Sequence, residues 1–262
     1  VAAYCALLRP DVFQSVVMMS APFSGPPPAT KYSAGTVAVC DEQTAHSTPT
    51  IHASLAALDR PRKHYQWYYS TPEANDDMCH CSQGVHDFLR AYFHYKSADW
   101  AGNRPFHLNA WSAGELAKLP TYYVMDLDLG MAETVAPYMP AADAIADCMW
   151  LSETELEVYS SEYGRTGFQG GLQWYRCATS ETENNALRLW AGRTIDVPSL
   201  FVAGKSDWGV YQKPGAFEAM QASACTRMEE CHLVTGAGHW VQQEQPEAVG
   251  RILNEFLGRQ HG

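Results

Sequence analysis

The chain has 262 residues and a formal net charge of -11, from 18 lysines and arginines against 29 aspartates and glutamates. That length suits one large α/β domain, or a core with an inserted subdomain. The acidic balance, without a Lys/Arg run, argues against nucleic acid or an anionic membrane as a partner. No apolar stretch reaches the ~18 residues that a membrane-spanning helix requires, and no signal-peptide pattern is present, so we expect a cytoplasmic protein.

The first residues predict one helix and one buried strand. Residues 1–9 form an apolar segment that Pro10 ends, which predicts a short helix. The continuous apolar run at 13–19 is typical of a strand in a parallel sheet, buried on both faces. The prolines and glycine of residues 20–28 then mark the point where the chain leaves the sheet.

The long middle segment has dense aromatic residues and broken helical patterns. Ser152 and Glu155 have the spacing of a capping box, which predicts the start of a helix. Residues 82–95 place apolar side chains on one helical face, at Val85, Phe88, Leu89, Tyr92 and Phe93. We interpret residues 25–195 as a mostly helical cap inserted into the core.

The core pattern returns near residue 197. Strands are predicted at 199–203 and 232–234, with a short helix at 216–221 between them and a last helix that begins at Pro246. Strands that alternate with helices indicate a parallel sheet and the α/β class. The predicted organisation is therefore core at 1–24, cap at 25–195, and core again at 196–262.

The eight cysteines give no sign of a disulfide framework or a metal site. They are scattered without regular spacing, so reduced thiols are expected. Cys79, His80 and Cys81 are adjacent, but no second ligand pair lies nearby, and zinc requires three or four ligands. We therefore expect no metal and no cofactor.

Asp207 and His239 are the candidate acid and base. Each follows a short apolar strand, and sites in open parallel sheets form beyond the carboxyl ends of the strands. A carboxylate bonded to one ring nitrogen fixes the histidine tautomer, which leaves the other nitrogen free to take a proton. Gly236 and Gly238 suit a tight turn that aims the ring inward. Taken singly, the aspartate could be only a turn or cap residue, and the histidine only a satisfied polar group.

A possible serine nucleophile lies earlier in the chain. Residues 110–114 imitate the turn that carries a nucleophilic serine, with Ser112 at its centre. The segment before it is a poor buried strand, however, and little helix follows before Pro120. Ser112 with Glu115 is better explained as a capping box.

Several segments together resemble the soluble epoxide hydrolase type of α/β-hydrolase. The residues that carry the resemblance are at both ends and in the middle of the chain: 1–12, 20–23, 63–70, 161–176, 201–208 and 236–246. The Pro-rich stretch at 98–148 resembles the fungal branch. The resemblance implies the α/β-hydrolase fold, with the C-terminal portion of its parallel sheet and a helical cap in this chain.

The resemblance also implies roles for four residues. Tyr65 and Tyr175 would be the paired cap tyrosines that donate to the epoxide oxygen, Asp207 the acid and His239 the base. Tyr68 and Tyr69 remain alternatives for the first tyrosine. The family's nucleophilic aspartate and oxyanion loop are not found, and we expect the aspartate a few residues before Val1. On that expectation the 262 residues alone would be inactive.

The predicted function is hydrolysis of an epoxide to a vicinal diol through a covalent aspartyl ester. The predicted partners are a small apolar epoxide and water, with a homodimer left open. One alternative is a dehalogenase or another α/β-hydrolase on the same fold; a dehalogenase would need tryptophan or histidine halide donors in place of the tyrosines. Another is a non-catalytic ligand-binding protein.

Overall fold

The computed structural model describes residues 1–29 and 48–260. Its strands are β1 (Val16–Met19), β2 (Arg62–His64), β3 (Val124–Asp126), β4 (Ser199–Gly204) and β5 (Met228–Val234). Its helices are α1 (Ala2–Leu8), α2 (Thr48–Ala56), α3 (Tyr65–Ser70), α4 (Glu73–Cys79), α5 (Gly84–Lys96), α6 (Ala113–Leu116), α7 (Met131–Val135), α8 (Ala142–Ala146), α9 (Glu153–Thr166), α10 (Gln169–Thr179), α11 (Glu181–Leu187), α12 (Ala216–Ala219), α13 (Val241–Glu244) and α14 (Pro246–Gln260).

A parallel sheet in the order β1-β4-β5 organises the core, as the sequence predicts. The central strand β4 is buried along its whole length because both faces are covered. Phe201 and Ala203 point to the side that packs on α1, whereas Leu200 and Val202 point to the side that packs on α13 and α14. This alternation explains why the strand is a continuous apolar run.

Three core elements have bounds that differ from the predicted ones. The first strand begins at Val16, because Phe13 belongs to a turn whose amide bonds to the Arg9 carbonyl. β5 begins at Met228, where its parallel register with Ser199 starts. The helix predicted at 216–221 is shorter, and a π-helical turn over Met220–Ala224 follows it.

The cap is mostly helical, with short 3₁₀ turns at Ala136–Tyr138 and Arg188–Trp190. It also contains the antiparallel pair of β2 and β3, which the sequence analysis did not anticipate. A large apolar cluster unites α3, α5, α9 and α10, and includes Trp208 from the core side. The division at residues 24 and 195 stays a prediction, and residues 30–47 of the cap lie outside the described residues.

The two predicted capping boxes have different outcomes. At α9 the prediction is confirmed, because the Ser152 hydroxyl accepts from the Glu155 amide and the Glu155 carboxylate accepts from the Ser152 amide. At α6 it is wrong: Ser112 is the cap residue, but its side chain makes no cap bond. The Glu115 carboxylate instead accepts from the Asn109 amide.

Across the described residues, no helix is long and apolar enough to cross a membrane.

Candidate active site

Asp207 lies just beyond β4 and is only 2% exposed. Its Oδ1 accepts from the Gly209 amide at 2.7 Å and faces His239 Nδ1 at 3.1 Å. Its Oδ2 accepts from the Ser20 hydroxyl at 2.6 Å. The carboxylate thus has a partner on both oxygens, as a buried charge requires.

Ser20 is a site residue that the sequence analysis missed. It follows β1 directly, and its Oγ lies 3.0 Å from His239 Nδ1 as well as close to Asp207. Its φ of 66° is in the left-handed region, which costs a non-glycine residue energy and recurs at functional sites. The signal that could have found it is a polar residue at the carboxyl end of a predicted strand, beside the strand that carries the acid.

The turn before His239 depends on two glycines, as predicted. Gly236 has a φ of 76°, in the left-handed region. A Cβ on Gly238 would lie 2.6 Å from the Lys96 carbonyl oxygen. Because only glycine allows this approach, the His239 amide can donate to that same carbonyl at 3.0 Å. His239 is therefore attached to the end of α5.

Glu244 holds the same loop from the other side. This buried carboxylate accepts from the amides of Gly238, Trp240 and Ala98, at distances between 2.7 and 3.0 Å. Burial raises the pKa of Glu244. The three amides come from both the base loop and the segment after α5, so Glu244 joins the core to the cap.

The environment shifts the pKa of both members of the pair. Burial alone would raise the pKa of Asp207, but the charge and hydrogen bond of His239, the Ser20 hydroxyl and the Gly209 amide together lower it. Burial first, and then the charge of Lys96, lowers the pKa of His239 despite the opposing effect of Asp207. A neutral histidine beside an ionised aspartate can act as a base at neutral pH.

Tyr65 and Tyr175 are brought together by α3 and α10. Their ring centroids lie 5.8 Å apart at an interplanar angle of 75°. The Tyr65 hydroxyl donates to Gln212 Oε1 at 3.2 Å and accepts from Gln66 Nε2 at 3.3 Å. Burial raises the pKa of both phenols, so they are neutral donors at neutral pH.

The two alternative tyrosines have other contacts. The Tyr68 hydroxyl donates to Asp77 at 3.1 Å. The Tyr69 hydroxyl donates to the Tyr92 hydroxyl at 3.3 Å, and its ring lies 4.9 Å from that of Tyr175. Tyr68 is therefore committed to a carboxylate, whereas Tyr69 belongs to the same aromatic group as Tyr175.

One cavity of about 460 Å³ is lined by both His239 and Tyr175. Tyr65 packs against Tyr175 and Tyr69, which both line this cavity. Its other walls are largely apolar and aromatic, and they include Trp174 and Trp240, as expected for an apolar pocket. His239 and Tyr175 thus face one space, with Tyr65 packed against Tyr175.

The remaining sequence candidates lie elsewhere. Ser112 begins the short α6 and is not preceded by a strand. The described cysteines are all free; Cys40 lies outside the described residues. Among the described residues, no group of three or more His, Cys, Asp or Glu side chains could hold a metal ion.

The chain matches no protein-family profile, but individual relatives are found. It is 44% identical over 108 residues to epoxide hydrolase A of Mycobacterium tuberculosis, which is 41% of this chain and 32% of that protein. It is 31% identical over 112 residues to epoxide hydrolase 2 of Siraitia grosvenorii, covering 41% of this chain and 34% of that protein. The matched stretches thus span about a third of the curated relatives' own length.

Solved structures resemble nearly the whole chain. An epoxide hydrolase from an endophytic Streptomyces gives a TM-score of 0.70 at 25% identity, covering 99% of this chain and 65% of that one. Epoxide hydrolase A from Mycobacterium thermoresistibile gives 0.65 at 27% identity, covering 97% and 65%. The predicted likeness to the fungal branch stays a prediction. The chain has the α/β-hydrolase fold and is a relative of the epoxide hydrolases.

Proposed function

We propose that the protein of which this chain forms at least a part hydrolyses an epoxide to a vicinal diol. The observation that carries the proposal is that His239 and Tyr175 line one cavity, with Asp207 behind the histidine and Tyr65 beside the tyrosine. Neutral phenols can protonate the oxygen as the ring opens, and a base can activate the water that releases the product. The names of the relatives support the same activity.

In the first step, a carboxylate oxygen forms a bond to one ring carbon and the C–O bond of the epoxide breaks. The oxygen that leaves carbon is an alkoxide, which takes a proton from a tyrosine hydroxyl. Tyr65 and Tyr175 can share the developing charge, since two phenols can donate to one oxygen. The enzyme then holds the substrate as an ester.

In the second step, His239 takes a proton from water, and the resulting hydroxide attacks the ester carbonyl. The bond between the carbonyl carbon and the substrate oxygen breaks, and the departing alkoxide takes the proton of the new carboxyl group, which gives the diol and restores the carboxylate. The proton held by His239 replaces the one that the tyrosine gave, so the net reaction is epoxide plus water to diol. Asp207 stabilises the imidazolium that forms in between.

The attacking carboxylate belongs to an aspartate outside these 262 residues in this proposal. Among the described residues, Asp207 is the carboxylate that bonds to His239, and its two oxygens are already occupied. It is therefore placed to orient the base and is a poor nucleophile. The proposal also keeps a small apolar epoxide and water as the reactants and assigns the protein to the cytoplasm, with a homodimer left open.

The dehalogenase alternative needs a donor for halide in the cavity. Trp240 lines the cavity beside His239, but its Nε1 donates to the Phe93 carbonyl at 2.9 Å. The other lining tryptophan, Trp174, is 48% exposed. The Trp240 donor is therefore already used and Trp174 is open to solvent, so the tyrosine pair favours an epoxide over a haloalkane as the substrate.

The test compares styrene oxide with 1-chlorohexane as substrates of the full-length gene product. We expect diol from the epoxide and no halide release from the chloroalkane. Tyr65→Phe and Tyr175→Phe should each lower turnover of the epoxide by about 100-fold, since one lost donor costs about 3 kcal/mol of transition-state stabilisation.

Tyr68→Phe is the matched control, because Tyr68 lies on α3 with Tyr65 and is equally buried but bonds to Asp77. It should keep turnover within about threefold. Halide release in place of diol, or a Tyr68 effect as large as that of Tyr65, would contradict the proposal.

A further inference from the structure

Lys96 is a buried cation in the wall of the cavity that His239 and Tyr175 share. It is 4% exposed and ends helix α5. Its Nζ lies 5.0 to 5.6 Å from the ring centroids of four aromatic residues, namely Tyr92, Tyr122, Tyr123 and Trp240. Cation–π contacts of this kind offset part of the cost of burying the charge.

The ammonium group is short of hydrogen-bond acceptors. Among the described residues its hydrogen bond is to the Tyr92 hydroxyl at 3.3 Å, and no carboxylate there lies within 4.0 Å of it. A lysine ammonium has three donors, and rings do not replace a counter-ion for a group held out of water. Lys96 thus differs from Arg90, a buried cation that is paired with Glu153.

Tyr123, whose ring lies beside the same ammonium, carries a hydroxyl donor without an acceptor among the described residues. Its side chain is 1% exposed, and its hydroxyl has no hydrogen-bond partner among the described residues. Its ring lies 5.3 Å from Lys96 Nζ and 5.1 Å from the ring of Tyr65. An unpaired buried donor costs free energy unless another molecule or segment supplies the acceptor.

Lys96 lines the cavity together with His239, and the ring of Tyr123 lies 5.3 Å from its ammonium. The backbone carbonyl of Lys96 accepts from the His239 amide at 3.0 Å, so the end of α5 and the His239 loop are joined directly. The charge of Lys96 also reaches the base, since it is one cause of the lowered pKa of His239. An anion seated here would be within reach of the chemistry at His239.

We propose that Lys96 and Tyr123 form a binding seat for a carboxylate at the His239 end of the cavity. A carboxylate fits because it accepts from both donors and supplies the missing counter-charge. The inference rests on the proposed function for one of two sources, the attacking aspartate of that reaction. The other source is a carboxylate on the substrate itself, which would make epoxy acids the preferred substrates.

The experiment uses the full-length gene product and its Lys96→Met variant, with Lys118→Met as the control. Lys118 pairs with Glu115 on the surface, so its loss removes a lysine away from the cavity. Calorimetry measures the binding of trans-cinnamate and of methyl cinnamate. Kinetics measure kcat/KM for 3-phenylglycidate and for its methyl ester.

If the substrate supplies the carboxylate, the wild type binds cinnamate and favours 3-phenylglycidate over the ester. Lys96→Met should then lower both by about 30-fold, while methyl cinnamate and the ester change little. If the enzyme's own aspartate supplies the carboxylate, Lys96→Met lowers kcat/KM for both glycidates by a similar factor. The wild type then binds cinnamate no more tightly than its methyl ester. Lys118→Met should change neither measurement.

The proposal is overturned if cinnamate and its ester bind alike to both proteins and Lys96→Met keeps both kcat/KM values within threefold. A protein without any epoxide turnover contradicts the proposed function, and the binding of cinnamate and methyl cinnamate then tests the seat alone. Tighter binding of cinnamate than of its ester, lost in Lys96→Met, supports the seat. Equal binding of the two overturns it. Should Lys96→Met fail to fold, Tyr123→Phe replaces it, with about a tenfold loss expected in the same measurements. An unchanged Tyr123→Phe then overturns the proposal.

Discussion

Hydrogen bonds hold the acid–base half of the site, formed by Asp207, His239 and Ser20, whereas ring packing holds the tyrosine half, formed by Tyr65 and Tyr175. In the first half the buried carboxylate has a partner on each oxygen. Beside the second, the Lys96 ammonium has a single hydrogen bond, to the Tyr92 hydroxyl, and the Tyr123 hydroxyl has none among the described residues. The polar groups of the acid–base half are therefore satisfied as folded, whereas the surroundings of the tyrosine half contain buried donors that a bound carboxylate could satisfy.

The largest expected effect comes from breaking the acid–base half at Asp207. Asp207→Asn should lower epoxide turnover by about 10³- to 10⁴-fold, because an amide cannot fix the tautomer or stabilise the imidazolium. Single-substrate kinetics on the full-length protein measure it. Asp196→Asn is the control: this acid precedes β4 and accepts from surface threonine hydroxyls, so turnover should stay near wild type. Equal losses in both variants would contradict the assignment.

The next effect is on stability, at the junction between the halves. Glu244→Ala should lower the free energy of unfolding by about 3 kcal/mol, since three backbone amides lose their acceptor in a buried place. Denaturant titration measures this loss. A cost below about 1 kcal/mol would show that the loop keeps its position without Glu244.

Two variants of Ser20 separate the stabilising effect of its hydrogen bond from the cost of its backbone conformation. Ser20→Ala removes the hydroxyl from Asp207 and keeps the unfavourable φ, so it should cost about 1–2 kcal/mol. Ser20→Gly removes the hydroxyl and relieves the strain, so it should be more stable than Ser20→Ala by roughly 1 kcal/mol. Thermal unfolding of the two variants gives the difference. The opposite order would mean that the left-handed conformation is not a source of strain.

The pH dependence of turnover should report the lowered pKa of His239. In the proposed mechanism turnover needs neutral His239, whose pKa is lowered from 6.5 by burial and by Lys96. The acid limb of the kcat profile should therefore lie below pH 6.5, and activity should fall only as the pH drops through the lowered pKa. In Lys96→Met the limb should move to higher pH, since a positive charge near the base is removed. A limb above 6.5 in the wild type would contradict the described environment.

The smallest effect is expected at a surface pair in the cap. Arg60 bonds to Asp126 at the end of β3, but its side chain is 64% exposed. Arg60→Ala should therefore lower the free energy of unfolding by less than about 1 kcal/mol. Epoxide turnover should be unchanged, because the pair does not border the cavity. A large loss of turnover would mean that the β2–β3 pair controls the tyrosine half.

The sequence predicts the acid–base half better than the cap half, for physical reasons. Asp207 and His239 follow apolar runs, and parallel strands bring their carboxyl ends to one edge, so their proximity follows from the pattern. The pairing of Tyr65 with Tyr175 is predicted from resemblance alone, since the chain has 14 tyrosines and no local pattern singles out these two. The polar contacts of Ser20 and the burial of Lys96 depend on long-range packing, which local periodicity does not encode.

The two halves should act in successive steps, and intact-mass measurement of the full-length protein tests this most directly. His239→Gln retains the tyrosines but cannot activate water, so after exposure to styrene oxide it should gain the mass of one substrate molecule as a stable ester. The double variant Tyr65→Phe, Tyr175→Phe should gain none, or far less, over the same time. No adduct in His239→Gln, or equal adducts in both variants, would contradict the assignment of ring opening to the tyrosine half and ester hydrolysis to the acid–base half.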